Sequence, residues 1–131
     1  MMSTGLTLTL QPETFAVCRL APDAPVPTPP AGGSLYSWTR TDAELSVVCA
    51  EGEAPEADHY EGGWRGLVVD GPLAFEQVGI LAELAGVLAD AEVSLFVLST
   101  FDTDYLLVKQ EVLDTAIGAL RQRGHTVHRV D

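Results

Sequence analysis

Two stretches of the chain carry residue types that can hold a small zwitterion. Val78-Gly79-Ile80 lies near the start of an apolar helical pattern. Amides at a helix N-terminus are unpaired and sit at the positive end of the helix dipole, so they attract a carboxylate, and a glycine there allows close approach. Ser99-Thr100-Phe101-Asp102-Thr103-Asp104 supplies hydroxyls and two carboxylates, which can accept bonds from an ammonium or guanidinium group. Together the two stretches suit an amino acid. Each also has a plainer explanation: Gly79 can serve tight helix-to-sheet packing, and the aspartates can satisfy turn amides.

Paired carboxylates also perform general acid and base work, but no nucleophile, metal set or cofactor motif stands beside Asp102 and Asp104 in the sequence. No catalytic residue, no metal and no cofactor is therefore expected, and the chain reads as a binding protein rather than an enzyme. His125 and His128 are spaced so that a strand points them to opposite faces, which argues against joint metal ligation. His59 lies in an acidic stretch and has no assigned role. Trp64 and Tyr105 can wall a ligand or simply fill the core at strand starts. Cys18 and Cys49 sit in apolar, strand-like runs, where a reduced thiol behaves as a small hydrophobe.

The charge balance narrows the partners. With Lys and Arg totalling 7 against 19 Asp and Glu, the net charge is -12, which leaves little attraction for phosphate backbones or anionic lipid, so neither nucleic acid nor membrane is expected. Arg121, Arg123 and Arg129 lie close together, two of them explained as helix-end charges. No apolar run approaches the ~20 residues that cross a bilayer, and Met1 to Leu10 lacks the basic start and apolar stretch of a signal peptide, so the expected location is cytoplasmic.

The elements that must position these residues follow from periodicity. Leu6–Leu10 and Thr14–Leu20 read as two strands or one interrupted by Gln11-Pro12-Glu13. Residues 21–33, rich in proline, exclude a long helix. Leu35–Arg40 and Glu44–Ala50 form a strand pair around Thr41-Asp42, and residues 51–63 form an acidic, solvated linker. Trp64–Asp70 is a strand. A helix from about 75 to 90 follows, with Leu81, Leu84, Ala85 and Leu88 on one face. Val93–Leu98 and Tyr105–Val108 make a hairpin. A helix over 110–123 repeats the spacing at Leu113, Ala116, Ile117 and Leu120, with Gly124 as its stop, and 125–130 is a last strand. The second half is thus β-α-β-β-α-β, an α+β, ferredoxin-like order. A faint repeat between Thr41-Asp42-Ala43-Glu44-Leu45-Ser46-Val47-Val48 and Thr103-Asp104-Tyr105-Leu106-Leu107-Val108 suggests two such units, 1–62 degenerate and 63–131 complete.

Gly63-Trp64-Arg65-Gly66-Leu67, then Gly71-Pro72-Leu73-Ala74-Phe75 with Gly79-Ile80-Leu81, and above all Ser99 to Val108, resemble the ACT-domain proteins. Within them the chain is similar to the small stand-alone tandem-ACT group related to the amino-acid-sensing ACT domains of aspartate kinases and arginine sensors. The resemblance implies two βαββαβ units with antiparallel sheets and helices on one face, a homodimer, and an amino acid as small-molecule ligand at Val78, Gly79, Ile80 and Ser99 to Asp104. The function to expect is that of a regulatory sensor. The alternative is an interaction module that keeps the fold without a ligand and packs a partner on a sheet edge or helix.

Overall fold

The computed structural model describes residues 5–29, 32–70 and 79–129. Val78 lies outside the described residues. The strands are β1 (Thr7–Leu20), β2 (Ser37–Arg40), β3 (Leu45–Ala50), β4 (His59–Val69), β5 (Leu95–Ser99), β6 (Asp104–Lys109) and β7 (Thr126–His128); the helices are α1 (Ile80–Asp90) and α2 (Leu113–Gln122). Two compact units emerge: Glu13–Trp64, and the chain before and after it. Residues 5–12, expected with the first half, thus go with the second.

That division follows from β1, which runs unbroken through Gln11-Pro12-Glu13. Thr7–Thr9 pair in parallel with β7, and Phe15–Leu20 pair antiparallel with β3. Pro12 is exposed and falls between these two registers, so its missing N–H costs neither ladder a bond.

In the unit that holds both helices the sheet runs β7-β1-β4-β6-β5. The expected βαββαβ order is present from β4 onward, with β1 added as a fifth strand between β4 and β7. Every second residue of the strands turns to the helices: Leu8 and Leu10, Leu67 and Val69, Leu106 and Val108 are buried with Leu84, Val87 and Leu88 of α1 and Leu113, Ala116, Ile117 and Leu120 of α2. Burying each such leucine contributes about 2 kcal/mol, which outweighs the weak intrinsic preference of ten- or eleven-residue helices. A turn of 3-10 helix, Gln110–Val112, leads into α2. Gly124 follows it at φ 91°, the left-handed conformation that ends helices.

The Glu13–Trp64 unit has the strand order β2-β3-β1-β4 and no α-helix among its described residues. Its core joins Ala16, Cys18 and Leu20 to Leu45, Val47 and Cys49, packed by Ala24, Val26 and Tyr36 of the proline-rich segment and by Ala54 and Ala57. That segment is tied down by its own hydrogen bonds. Ser34 donates from its amide (2.8 Å) and hydroxyl (2.6 Å) to the Glu13 carboxylate, Tyr36 Oη to Pro27 O (2.7 Å), and the Arg40 guanidinium to the Pro22 and Ala24 carbonyls. The hairpin at Thr41 is closed by its hydroxyl, which accepts from the amides of Ala43 and Glu44.

The acidic stretch 51–63 is less of a linker than its charge suggests. Glu51–Glu53 form a 3-10 turn, β4 already begins at His59, and the Glu51 carboxylate accepts the Gly63 amide at 2.6 Å. The charge density is solvated on one side and hydrogen-bonded on the other.

Candidate ligand site

The hairpin Ser99–Asp104 stands at the end of β5 and β6, with Ser99 opposite Asp104 in the ladder. Ser99 Oγ donates to Asp104 Oδ1 at 2.6 Å. The turn itself is closed by threonines: the Thr100 amide donates to Thr103 O (2.8 Å), and Thr100 Oγ1 accepts the Thr103 amide (3.2 Å). Neither aspartate caps a turn amide among the described residues. Asp102 is exposed and has no hydrogen-bond partner among them. Phe101 at the tip is 78% exposed.

Gly79 precedes α1 at φ 83°, a left-handed conformation that a side chain would strain. Among the described residues a Cβ there would meet nothing within 4 Å, so backbone shape rather than packing against them accounts for the glycine. Its carbonyl takes the Glu83 amide at 2.8 Å as the first helical bond, and no side chain among the described residues caps the turn. Ile80 packs its side chain on the core, leaving its main chain at the helix start. The helix begins at Ile80; the part of the expected helix over 75–78 lies outside the described residues.

No direct contact joins Gly79 or Ile80 to the hairpin among the described residues, but a hydrogen-bonded chain connects them. Thr103 Oγ1 donates to the carbonyl of Val69, the last residue of β4. The Asp70 amide donates to Thr7 O and the Thr9 hydroxyl to Asp70 Oδ1, both at 2.8 Å. Thr126 donates to Leu6 O (2.8 Å), and Leu6 in turn donates to Nδ1 of His125 (3.1 Å). The other ring nitrogen, Nε2, lies 3.1 Å from Glu83 Oε2 on the first turn of α1. Hairpin, strand ends and helix start therefore share one end of the sheet.

Thr9, Asp70, Glu83 and His125 were not among the residues singled out for the site. His125 alone left a trace: it shares strand parity with the buried Val127, while His128 points out. Trp64 is buried at its strand position, and Tyr105 is half-buried. Among the described residues no group of three or more His, Cys, Asp and Glu is placed to hold a metal, and no helix is long and apolar enough to cross a membrane.

Residues 59–122 match the family model of the ACT domain, and residues 13–57 match that of an N-terminal domain. The Homo sapiens protein "Cytosolic arginine sensor for mTORC1 subunit 1" is 39% identical over 61 residues, which cover 46% of this chain but only 18% of that protein. Protein Atu0741 from Agobacterium tumefaciens, solved by X-ray crystallography, is 31% identical with a TM-score of 0.89, covering 98% of this chain and 96% of that one. The ligand-free regulatory subunit of aspartate kinase from Thermus thermophilus shares the fold alone, with a TM-score of 0.61 at 9% identity over 88% of this chain and 95% of the subunit. By the match of residues 59–122 and the likeness to Atu0741, the chain belongs to the ACT-domain family.

Proposed function

We propose that this protein binds a free amino acid as a cytoplasmic regulatory sensor and has no catalytic activity of its own. The observation that carries this reading is the first turn of α1, which starts at a left-handed glycine with open space around it and no capping side chain among the described residues. Main-chain donors left in that state attract a carboxylate. In this reading Gly79 and Ile80, with Val78 beside them, take the α-carboxylate. Ser99, Thr100, Phe101, Asp102, Thr103 and Asp104 face the amino group and side chain. Asp102 has no partner among the described residues and Asp104 is half-buried with one, so both carboxylates have acceptor capacity left for a cation. The name of the arginine sensor supports an amino acid as ligand and the cytosol as location, and the aspartate kinase regulatory subunit supports a regulatory role.

A second reading, an interaction module working as a homodimer, draws on β5. It stands at the end of the sheet, and Leu95, Phe96, Val97 and Leu98 are only half-buried. A mass that doubles with concentration, without any response to amino acids, favours that reading.

A thermal-shift screen against the proteinogenic amino acids separates the two. A ligand at a hundredfold excess over its Kd stabilises the native protein by roughly 2.7 kcal/mol, which raises Tm by several degrees. Asp104→Ala is expected to remove that shift while the far-ultraviolet circular dichroism stays unchanged. No shift with any amino acid contradicts the sensor function, and an undiminished shift in Asp104→Ala moves the amino-group site elsewhere.

A further inference from the structure

We propose that His125 is a proton-sensitive latch for the end of the sheet that carries the candidate site. The ring is held from two sides and its side chain is 2% exposed. A main-chain N–H can only donate, so Nδ1, 3.1 Å from the Leu6 nitrogen, carries a lone pair. The proton of the neutral ring therefore sits on Nε2 and is donated to Glu83 Oε2 at 3.1 Å. A second proton has only Nδ1 to go to, and there it meets the Leu6 N–H head on. The Leu6 bond breaks, while Glu83, a carboxylate, keeps its hold on the imidazolium.

What the break releases is specific. Leu6 enters β1, and its carbonyl takes the Thr126 amide at the start of the β1–β7 pairing. One residue on, Thr7 O holds the Asp70 amide, and Asp70 also accepts from Thr9. Loosening the entry to β1 therefore loosens the end of β4, where Thr103 of the hairpin is bound to the Val69 carbonyl.

Among the described residues the charged groups around the latch are few. Glu83 is the one that α1 turns to the ring. On α2, Arg121 is bound to Val127 O (2.7 Å) and Arg123 to Asp90 Oδ2 (2.7 Å). On β7, His128 is exposed and points away. β1 brings only its main chain.

Nitrogen-15 NMR without ligand decides the latch on the wild-type protein. At pH 8 the His125 ring is expected as the Nε2–H tautomer. Between pH 8 and 5 the Leu6 amide is expected to lose hydrogen-exchange protection to the extent that the ring takes up a second proton. In His125→Asn the side-chain oxygen stands near the place of Nδ1 and does not titrate, so Leu6 stays protected throughout. An Nδ1–H tautomer at pH 8, a ring that takes up no second proton down to pH 5, or Leu6 protection that stays unchanged when the ring does, overturns the proposal.

The effect on ligand rests on the amino-acid-binding function and has its own readout. The affinity for L-arginine, whose charge is constant over this interval, is expected to weaken on the order of tenfold from pH 8 to 5 in the wild type, as for loss of one supporting hydrogen bond, and to hold steady in His125→Asn. Arginine affinity that is the same at both pH values in the wild type overturns the coupling. A working latch with no arginine binding at either pH removes the coupling to arginine and leaves the latch standing.

Discussion

Thr100 does the work in the hairpin turn that either aspartate was equally suited to do. Its hydroxyl takes the Thr103 amide, while Asp104 is engaged by Ser99 and Asp102 by no described group. Composition alone could not decide among these side chains, because all of them close turns by the same kind of bond. His125 was legible as an inward residue from its parity with Val127, but its partner is a main-chain amide 119 residues away, which no local pattern encodes. The cysteines were legible in full as small buried hydrophobes, and both are free thiols. Burial pushes the Cys49 thiol up to about 11, helped by the neighbouring Cys18 and Glu53; burial also raises Cys18. Since the thiolate is the reactive form, neither should react with iodoacetamide at pH 8 in the native protein, and both should react at once in denaturant. Labelling of the native protein, followed by mass, checks this.

At the scale of elements, α2 and the β5–β6 hairpin were legible because periodicity, helix-end charges and the Gly124 stop agree with one another. Two boundaries were not. The helix α1 starts at Ile80 because Gly79 adopts a left-handed backbone, whereas side-chain periodicity reads only the faces of a helix and not its φ angles. β4 reaches back to His59 through residues whose charge suggested solvent, because strand pairing uses main-chain groups that charge does not report. The proline-rich segment was legible as non-helical, and its anchor is Glu13. Burial pushes the Glu13 carboxyl up, but the hydroxyl and amide of Ser34 outweigh it, so its pKa is lowered. A lowered carboxylate contributes stability above its unfolded value, ~4.3, and loses it as pH falls through the folded value. Glu13→Gln is therefore expected to cost on the order of 1 kcal/mol at pH 7 and progressively less as pH drops below 4. A difference in Tm between the two proteins that is independent of pH would exclude this role.

For the whole molecule, local patterns carried the βαββαβ order from β4 onward but not the insertion of β1 beside β7, which joins the two ends of the chain in one sheet. Non-local pairing of this kind is set by which apolar faces match, Leu8 and Leu10 here meeting Val127 and Val69 in one core. The same pairing brings Thr9, Asp70 and His125 to the end of the sheet where the hairpin and α1 begin. The central claim is that the amides at the start of α1 and the carboxylates of the hairpin hold one amino acid between them. Amide-resolved NMR, following the protein as the amino acid with the largest thermal shift is added, tests it most directly. The resonances of Ile80, Leu81 and Ala82 and those of Ser99 to Asp104 are expected to move together with one saturation curve. Binding that moves neither group, or moves the hairpin while the first turn of α1 stays still, would contradict it.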